Sequence, residues 1–448
     1  MYKIILAIRY LIRRRITYLA VLAVALCVFI VVVVMTVMTG LVRDFKVKNH
    51  NWVGDCAVSS DSLVGFPWYE EFIEILEEDT AVEAVSPAIK SYALLTHQSG
   101  WNNSVEIMGL KPVRHCRVTN FGGTVYYHKD DCLNVFKPGY DVNLPGCVVG
   151  IDRVVVREER GQYRQEPKLP QRSYAVSCFP LTARGGLARA GLDLVNTKTF
   201  YYSDNSHSGL ARVDGTFVYL AFEDAQTLCG MDGEEKRTSA IYVKFKPDVK
   251  LEAGCEKVNV LWQKFVAENK NDKNADLLSK ITVQSWKDYR RETIAPMEKE
   301  QVMMMAGFAM IGIITPFIVL VVFYMIISHK SRDIGILKSI GVSRTNLIQL
   351  FLGFAFLVGV LGSAAGAFVG WLFLLKINEI ENWLFEHFRF QLWDRAIYAI
   401  GDIPNQVEFK VLVIIVISAI ATCLVGALIP SWQAARLKPV DTLQVSQL

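Results

Sequence analysis

The apolar positions of this chain fall into two regimes. Residues 16–39, 301–328, 347–375 and 411–429 are apolar all round and carry no charge. A bilayer core takes about 20 consecutive apolar residues in a helix, so each stretch predicts a membrane-spanning helix. Between the first and the second, apolar residues recur in shorter, mixed patterns. Residues 91–96, 105–108, 217–221 and 241–245 read as strands. Residues 68–76 read as a helix with Phe72, Ile75 and Leu76 on one face, and residues 222–229 and 256–267 read as further helices. Residues 157–170 and 204–209 are polar and read as loops. The pattern therefore predicts a polytopic α-helical membrane protein with four transmembrane helices in a 1+3 order. A large mixed α/β domain, as one body or two lobes, is inserted between helices 1 and 2. No internal repeat or low-complexity tract interrupts it.

The boundaries that follow are a first transmembrane helix at 16–40 and a large α/β domain at 41–296. The second helix takes 297–328, a loop 329–346, the third helix 347–376, a second loop 377–410, the fourth helix 411–429 and a tail 430–448. Residues 1–15 read as an amphipathic helix with Ile4, Ile5, Ile8, Leu11 and Ile12 apolar and arginines that reach lipid headgroups, or as a simple basic anchor. The run at 16–39 is too long for the apolar part of a cleaved signal and has no small-x-small site. Val24-Ala25-Leu26-Cys27 loosely matches a lipoprotein cleavage box, but Leu26 stands where a small residue belongs.

Composition sharpens the picture. In 448 residues, 52% are hydrophobic and 21% charged, and the mean hydropathy is +0.27. These values argue against an ordinary soluble enzyme and against general disorder. A net charge of +4 gives no global basic field for nucleic acid. The distribution of charge orients the helices. The amino-terminal flank holds Lys3, Arg9, Arg13, Arg14 and Arg15; the loop 329–346 holds Lys330, Arg332, Lys338 and Arg344; the tail holds Arg436 and Lys438. The loop 377–410 is acidic, with Glu379, Glu381, Glu386, Asp394, Asp402 and Glu408. Both termini and the basic loop are therefore expected in the cytoplasm, and the α/β domain outside. Arg43, Lys46 and Lys48 are a counter-signal, placed at the start of a long domain where charge matters less.

No phosphate-cradling GxxxxGK[ST], HExxH, GxSxG or kinase signature occurs, so any energy must enter from outside this chain. The apolar helices hold essentially no ionisable residue, which weighs against ion coupling. His115, Cys116, His128 and Cys132 are too scattered for a metal site, and none is assigned. Cys27 and Cys423 lie in apolar helices. The other seven cysteines, Cys56, Cys116, Cys132, Cys147, Cys178, Cys229 and Cys255, lie outside, where disulfides can form. Seven is odd, so at least one thiol stays free or pairs with another chain.

Four features carry information. Ser331, Arg332, Asp333, Ile334, Gly335, Ile336, Leu337, Lys338, Ser339, Ile340 and Gly341 form a short helix with a capping Ser331, dipole-matched Asp333 and Lys338, and a natural stop at Gly341. Ser343 can cap the next helix. The apolar members either dip into the membrane surface or form a knob for a groove on a cytoplasmic partner. Gly362, Gly366 and Gly370 make a small-residue stripe, for packing within the chain or for a dimer seam. Met35, Met38, Met297, Met303, Met304 and Met305 cluster near the outer ends of the first two helices. They suit either ordinary packing or a lateral mouth that grips acyl chains. Lastly, the α/β domain is tethered at both ends, through Gly40 and Pro296, so tilting of helices 1 and 2 would move it.

Several stretches resemble the permeases of type VII ABC transporters, most of all the lipoprotein-releasing (Lol-type) permeases. They are Ala7-Ile8-Arg9-Tyr10-Leu11, Val37-Met38-Thr39-Gly40, residues 144–150 and 218–226, Glu298-Lys299-Glu300, residues 330–341 and residues 430–440. The resemblance covers most of the chain. Departures are the lack of the family's usual glycines in the first helix, Phe317-Ile318 where an Asn often follows the Phe, and the unaligned residues 157–212. The resemblance implies a non-catalytic permease subunit of the bacterial inner membrane, in which 331–341 is the coupling helix that docks a cytoplasmic ABC ATPase dimer. That partner would bind ATP and Mg; this chain would hold no cofactor. A second permease copy or paralogue, a lipoprotein substrate in contact with Met35, Met38, Met303, Met304 and Met305, membrane lipid and a periplasmic lipoprotein carrier would complete the system. ATP binding would close the helices and squeeze the lipoprotein toward the carrier, against a cost of ~0.8 kcal/mol per exposed CH₂. The alternative is another type VII permease that drives export through a periplasmic adaptor or activates an envelope enzyme. A receptor without an energy source has no use for a coupling helix.

Overall fold

The computed structural model describes residues 15–60, 62–98, 100–158, 162–188, 194–270, 275–329, 331–390, 393 and 402–437. The expected helix at 1–15, apart from its last residue, and the tail beyond 437 lie outside them. Two compact units emerge: a helical unit of Met1–Arg43, Pro296–Trp393 and Asp402–Leu448, and an α/β unit of Asp44–Ala295 and Asp394–Gly401.

The sheet of the α/β unit is built from β1 (Cys56–Ser59), β3 (Val82–His97), β4 (Asn102–Leu110), β5 (Gly146–Gly150), β6 (Ser173–Cys178), β7 (Asn196–Ser206), β8 (Phe217–Ala221), β10 (Ala240–Phe245) and β11 (Thr282–Ser285). A small separate pair is β2 (Phe66–Pro67) with β9 (Arg237–Thr238). The nine strands run in the order β11-β1-β10-β3-β4-β8-β5-β7-β6, with parallel pairs at β4–β8 and β5–β7. Strand β6 also pairs antiparallel with the far half of β3, Ala93 to His97, which closes the sheet on itself. Both faces are buried. Val218 and Leu220 of β8 enter one core and Phe217 and Tyr219 the other; Ile241 and Val243 of β10 face Ala240 and Tyr242 in the same way. A strand buried on both sides reads as an unbroken apolar run, which is why β8 and β10 were legible without alternation.

Helices α2 (Tyr69–Glu78), α4 (Phe222–Leu228) and α5 (Leu251–Glu268) supply the first core with Phe72, Leu76, Phe222, Trp262 and Phe265. The 7-residue α3 (Pro112–Val118) starts at a proline, where a missing N–H costs nothing, and lends Val118 to the second core. Residues 204–206 are strand rather than the expected loop. They are polar because Asp204, fully buried, accepts hydrogen bonds from the N–H groups of Tyr126 (3.0 Å), Tyr127 (2.9 Å) and His128 (2.7 Å).

The helical unit holds most of α1 (Arg15–Val53), α6 (Arg291–His329), α7 (Ser331–Ser339), α8 (Arg344–Phe388) and α9 (Phe409–Arg436). Four of these, all but α7, are long and apolar enough to cross a membrane. Two exceed their expected ends. Helix α1 runs through Gly40 to Val53, where Trp52 and Val53 are buried in the α/β core. At Gly40 the space a Cβ would need is filled by Pro404. Helix α8 runs through Lys376 to Phe388, so Glu379, Glu381 and Glu386 are helical rather than in a loop. Asn378 holds the returning chain there: its carbonyl oxygen accepts from the Ile403 N–H at 2.8 Å and its amide donates to the Ile403 carbonyl at 3.2 Å. Of the expected loop, residues 391–392 and 394–401 lie outside the described set.

Candidate functional site

Two places in the helical unit bring together residues of the kinds singled out above. The first is α7. Its stop is a paired-hydrogen-bond cap: the Gly341 N–H donates to the Lys338 carbonyl (3.1 Å) and the Val342 N–H to the Leu337 carbonyl (3.1 Å). Gly341 adopts φ +95°, a conformation that favours glycine. The Ser343 hydroxyl then accepts from the Asn346 N–H and starts α8. The apolar residues of α7 divide by face. Ile334 is 2% exposed and packs with Ile327, Leu347, Phe351, Ala434 and Ala435, with Leu337 against them. Ile336 (44% exposed) and Ile340 (76%) point away, and Ser339 and Gly341 are exposed beside them.

Lys338 is not a free surface charge. Its ammonium donates to the carbonyl of Ala435 at 2.8 Å and to that of Leu437, so it caps the carboxy-terminal end of α9. One turn earlier in α9's last stretch, the Arg436 guanidinium stacks 3.5 Å from the Trp432 ring centroid. Asp333 is half-buried, and the Arg332 side chain lies outside the described set. The outward knob of α7 is therefore apolar, built on Ile336 and Ile340, while Lys338 serves the fold.

The second place is a cavity of about 360 Å³ among α1, α6 and α9. Val24, Val28 and Met35 line it from α1, Met305 and Phe308 from α6, and Ile415 from α9. Its polar groups are few: the Thr315 hydroxyl donates to the Ile311 carbonyl at 3.0 Å and the Ser418 hydroxyl to the Ile415 carbonyl at 2.8 Å. Such a surface accepts alkyl chains and offers nothing to an ion. Of the five methionines singled out for lipid contact, Met35 and Met305 line this cavity; Met38, Met303 and Met304 do not, and Met303 is 74% exposed. A second cavity, about 390 Å³ in the α/β unit, is lined by polar groups such as Lys48, Asn120, His207 and Ser208 and does not suit an acyl chain.

The glycine stripe faces α1 of the same chain. A Cβ on Gly362 would meet Val24 at 2.8 Å, one on Gly366 would land on the Ala25 carbonyl, and one on Gly370 would meet Val32 at 3.2 Å. The stripe thus lets two helices of one chain approach closely.

Three features escaped the sequence reading. Cys116 and Cys132 form a disulfide, which removes both from any metal site. Trp52, near the end of α1, sits between two cations, with Lys90 4.8 Å and Arg290 4.7 Å from its ring centroid. Arg290 also donates to the buried Asn49 of α1 at 2.8 Å. Lastly, the β3–β4 hairpin exposes Tyr92 (55%) and Trp101 (73%) toward its tip. The disulfide and the Trp52 contacts have no short-range sequence signal, since their partners are far apart along the chain.

Comparison with known proteins matches residues 305–439 to the FtsX-like permease C-terminal family. The lipoprotein-releasing system transmembrane protein LolC of Xylella fastidiosa (strain Temecula1) is 21% identical over 434 residues, covering 95% of this chain and 92% of the relative. LolC of Neisseria meningitidis serogroup B is 21% identical over 434 residues, covering 96% and 94%. Among solved structures, the periplasmic region of MacB from Actinobacillus actinomycetemcomitans covers 55% of this chain and 96% of that one, at 11% identity and a TM-score of 0.30. The family match spans most of α6 and all of α7, α8 and α9, and the LolC relatives align along 95% or more of the chain, so the chain is similar to Lol-type permeases along nearly its whole length.

Proposed function

We propose that this chain is the permease subunit of an ATP-driven complex that extracts lipoproteins from the bacterial inner membrane and passes them to a periplasmic carrier. The observation that carries this reading is the coexistence, in one helical unit, of an acyl-sized apolar cavity and an outward apolar knob on α7. The cavity suits the lipid part of the substrate, with Met35 and Met305 as its adaptable walls. The knob, Ile336 and Ile340, suits a groove on a cytoplasmic ABC ATPase dimer that binds ATP and Mg. Residues 331–341 are then the coupling helix, both termini and α7 are cytoplasmic, and the α/β unit is periplasmic.

Force from the ATPase would travel along α1, whose last turns, from Asp44 to Val53, are locked into the α/β unit by Trp52, Lys90 and Arg290. A second permease, a copy or a paralogue, would face the first. The exposed Tyr92 and Trp101 of the hairpin offer an apolar contact for a carrier that must itself shield acyl chains. Export through an adaptor, or activation of an envelope enzyme, would need no acyl cavity.

The test is affinity purification in mild detergent with mass spectrometry of what co-purifies. An ATPase together with acylated lipoproteins is the expected outcome. An ATPase with an adaptor or a hydrolase, and no lipoprotein, would transfer the chain to the other branch of its class.

A further inference from the structure

We propose that the α/β unit carries three disulfides, Cys116–Cys132, Cys178–Cys229 and Cys56–Cys255, and that Cys147 is its unpaired cysteine. The inference rests on the reading that places this unit in the periplasm, an oxidising compartment.

Geometry selects the pairs. Cys178 closes β6 and Cys229 follows α4; their sulfurs lie 3.8 Å apart, and both residues are buried. Rotation about the two Cα–Cβ bonds can bring them to bonding distance. Cys56 opens β1 and Cys255 lies early in α5; Cys56 belongs to the first core, Cys255 packs against that core, and the two thiols influence each other's ionisation. Cys147, in β5, is fully buried with burial alone pushing its thiol up and no second cysteine beside it. Seven cysteines thus resolve into three pairs and one remainder, the parity the sequence demanded.

In each new pair one thiol is the more acidic of the two in the reduced, folded unit. A hydrogen bond from Cys229 lowers Cys178 to about 7, and a hydrogen bond from Cys56 lowers Cys255. The cross-links also have distinct places in the fold. Cys178–Cys229 ties the end of β6, within the stretch 157–212, to the helix that follows β8. Cys56–Cys255 ties the strand after α1 to α5.

The oxidant is a protein disulfide of the dithiol-oxidase class. The thiolate of one cysteine attacks it, forming a mixed disulfide and expelling one oxidant thiolate. The thiolate of the second cysteine then attacks the first cysteine's sulfur and expels the other. The pair loses two electrons and two protons, and the oxidant gains both as a dithiol. Because Cys178 and Cys229 are buried in the folded unit, the exchange belongs to folding, before the core closes.

The experiment uses the full chain, purified from membranes in detergent after acid quenching. It is denatured, alkylated without reduction, digested and mapped by mass spectrometry. Three linked peptides and alkylation at Cys147, Cys27 and Cys423 alone is the expected result. Cys116–Cys132 linked, with Cys178 and Cys229 or Cys56 and Cys255 alkylated, overturns the proposal and leaves the periplasmic placement standing. All seven alkylated overturns both. A Cys178→Ser variant adds an internal check, since only Cys229 should become newly alkylatable; capture of Cys147 by Cys229 in that variant would contradict its isolation.

Discussion

His115 shows how a single buried side chain sets a property of the α/β unit. It lies on α3, 1% exposed, with its ring Nδ1 3.4 Å from the Ser86 hydroxyl and its face near Phe121 and Tyr242. Burial, reinforced by nearby Lys90, pushes its pKa down to about 3. Between that value and about 6.5, the unfolded chain binds a proton that the folded one does not, so stability rises with pH. The contribution is complete above about pH 6.5 and is lost as pH falls, by about 2 kcal/mol from pH 7 to pH 5. In denaturant titrations of the full chain in detergent, His115→Gln is expected to flatten this slope by about one proton; identical slopes would show that His115 is not the group responsible. The methionines make a second residue-scale case. A photo-crosslinker at Met35 or Met305, inside the apolar cavity, is expected to capture acylated protein. One at Met303, which points out of it, should capture bilayer lipid. Equal capture of acylated protein at all three positions would remove the cavity from the substrate path.

At the scale of elements, α7 separates folding from docking by face. Ile334→Ala should cost the helical unit about 2–5 kcal/mol, because it empties a packed site under α8 and α9. The double change Ile336→Asp with Ile340→Asp removes only exposed contacts, so thermal stability should stay within about 0.5 kcal/mol. ATPase co-purification should fall at least about tenfold, as for the loss of one good apolar contact. Retained ATPase binding would sink the docking assignment. The α1–α8 seam gives a matched pair of variants. Gly366→Leu should destabilise by about 1–3 kcal/mol through overpacking against Ala25 and Val28. Gly353→Ala, on the same helix with open space around it, should be neutral or mildly stabilising. Equal melting shifts for the two would mean that the glycine stripe is not a packing seam.

Elements were legible where the signal is local. The apolar runs, the Gly341 stop, the Ser343 cap, β8 and β10 all depend on neighbouring residues. Helix ends were less legible: α1 and α8 continue past their apolar runs because Trp52, Val53 and Asn378 find partners elsewhere in the fold. Least legible were the Cys116–Cys132 bond, the buried Asp204 and the Trp52 clamp. Each joins residues distant in sequence, and each uses residue types that also populate loops. For the same reason the sequence shows Lys338 only as a charge matched to its own helix, whereas it also bonds to α9, almost a hundred positions on.

At the scale of the whole molecule, one chain carries both a helical unit with four long apolar helices and an α/β unit. The helical unit offers the apolar cavity and the α7 knob, and the α/β unit is built on a closed sheet with two cores. Helix α1 runs as one helix from Arg15 to Val53. The most direct test is depletion of this chain in the cells that make it, followed by separation of inner and outer membranes and quantification of acylated lipoproteins in each. Lipoproteins normally destined for the outer membrane should accumulate in the inner membrane, and complementation by the Ile336→Asp, Ile340→Asp double variant should fail to clear them. A normal distribution of lipoproteins in fully depleted cells would contradict a role in their release.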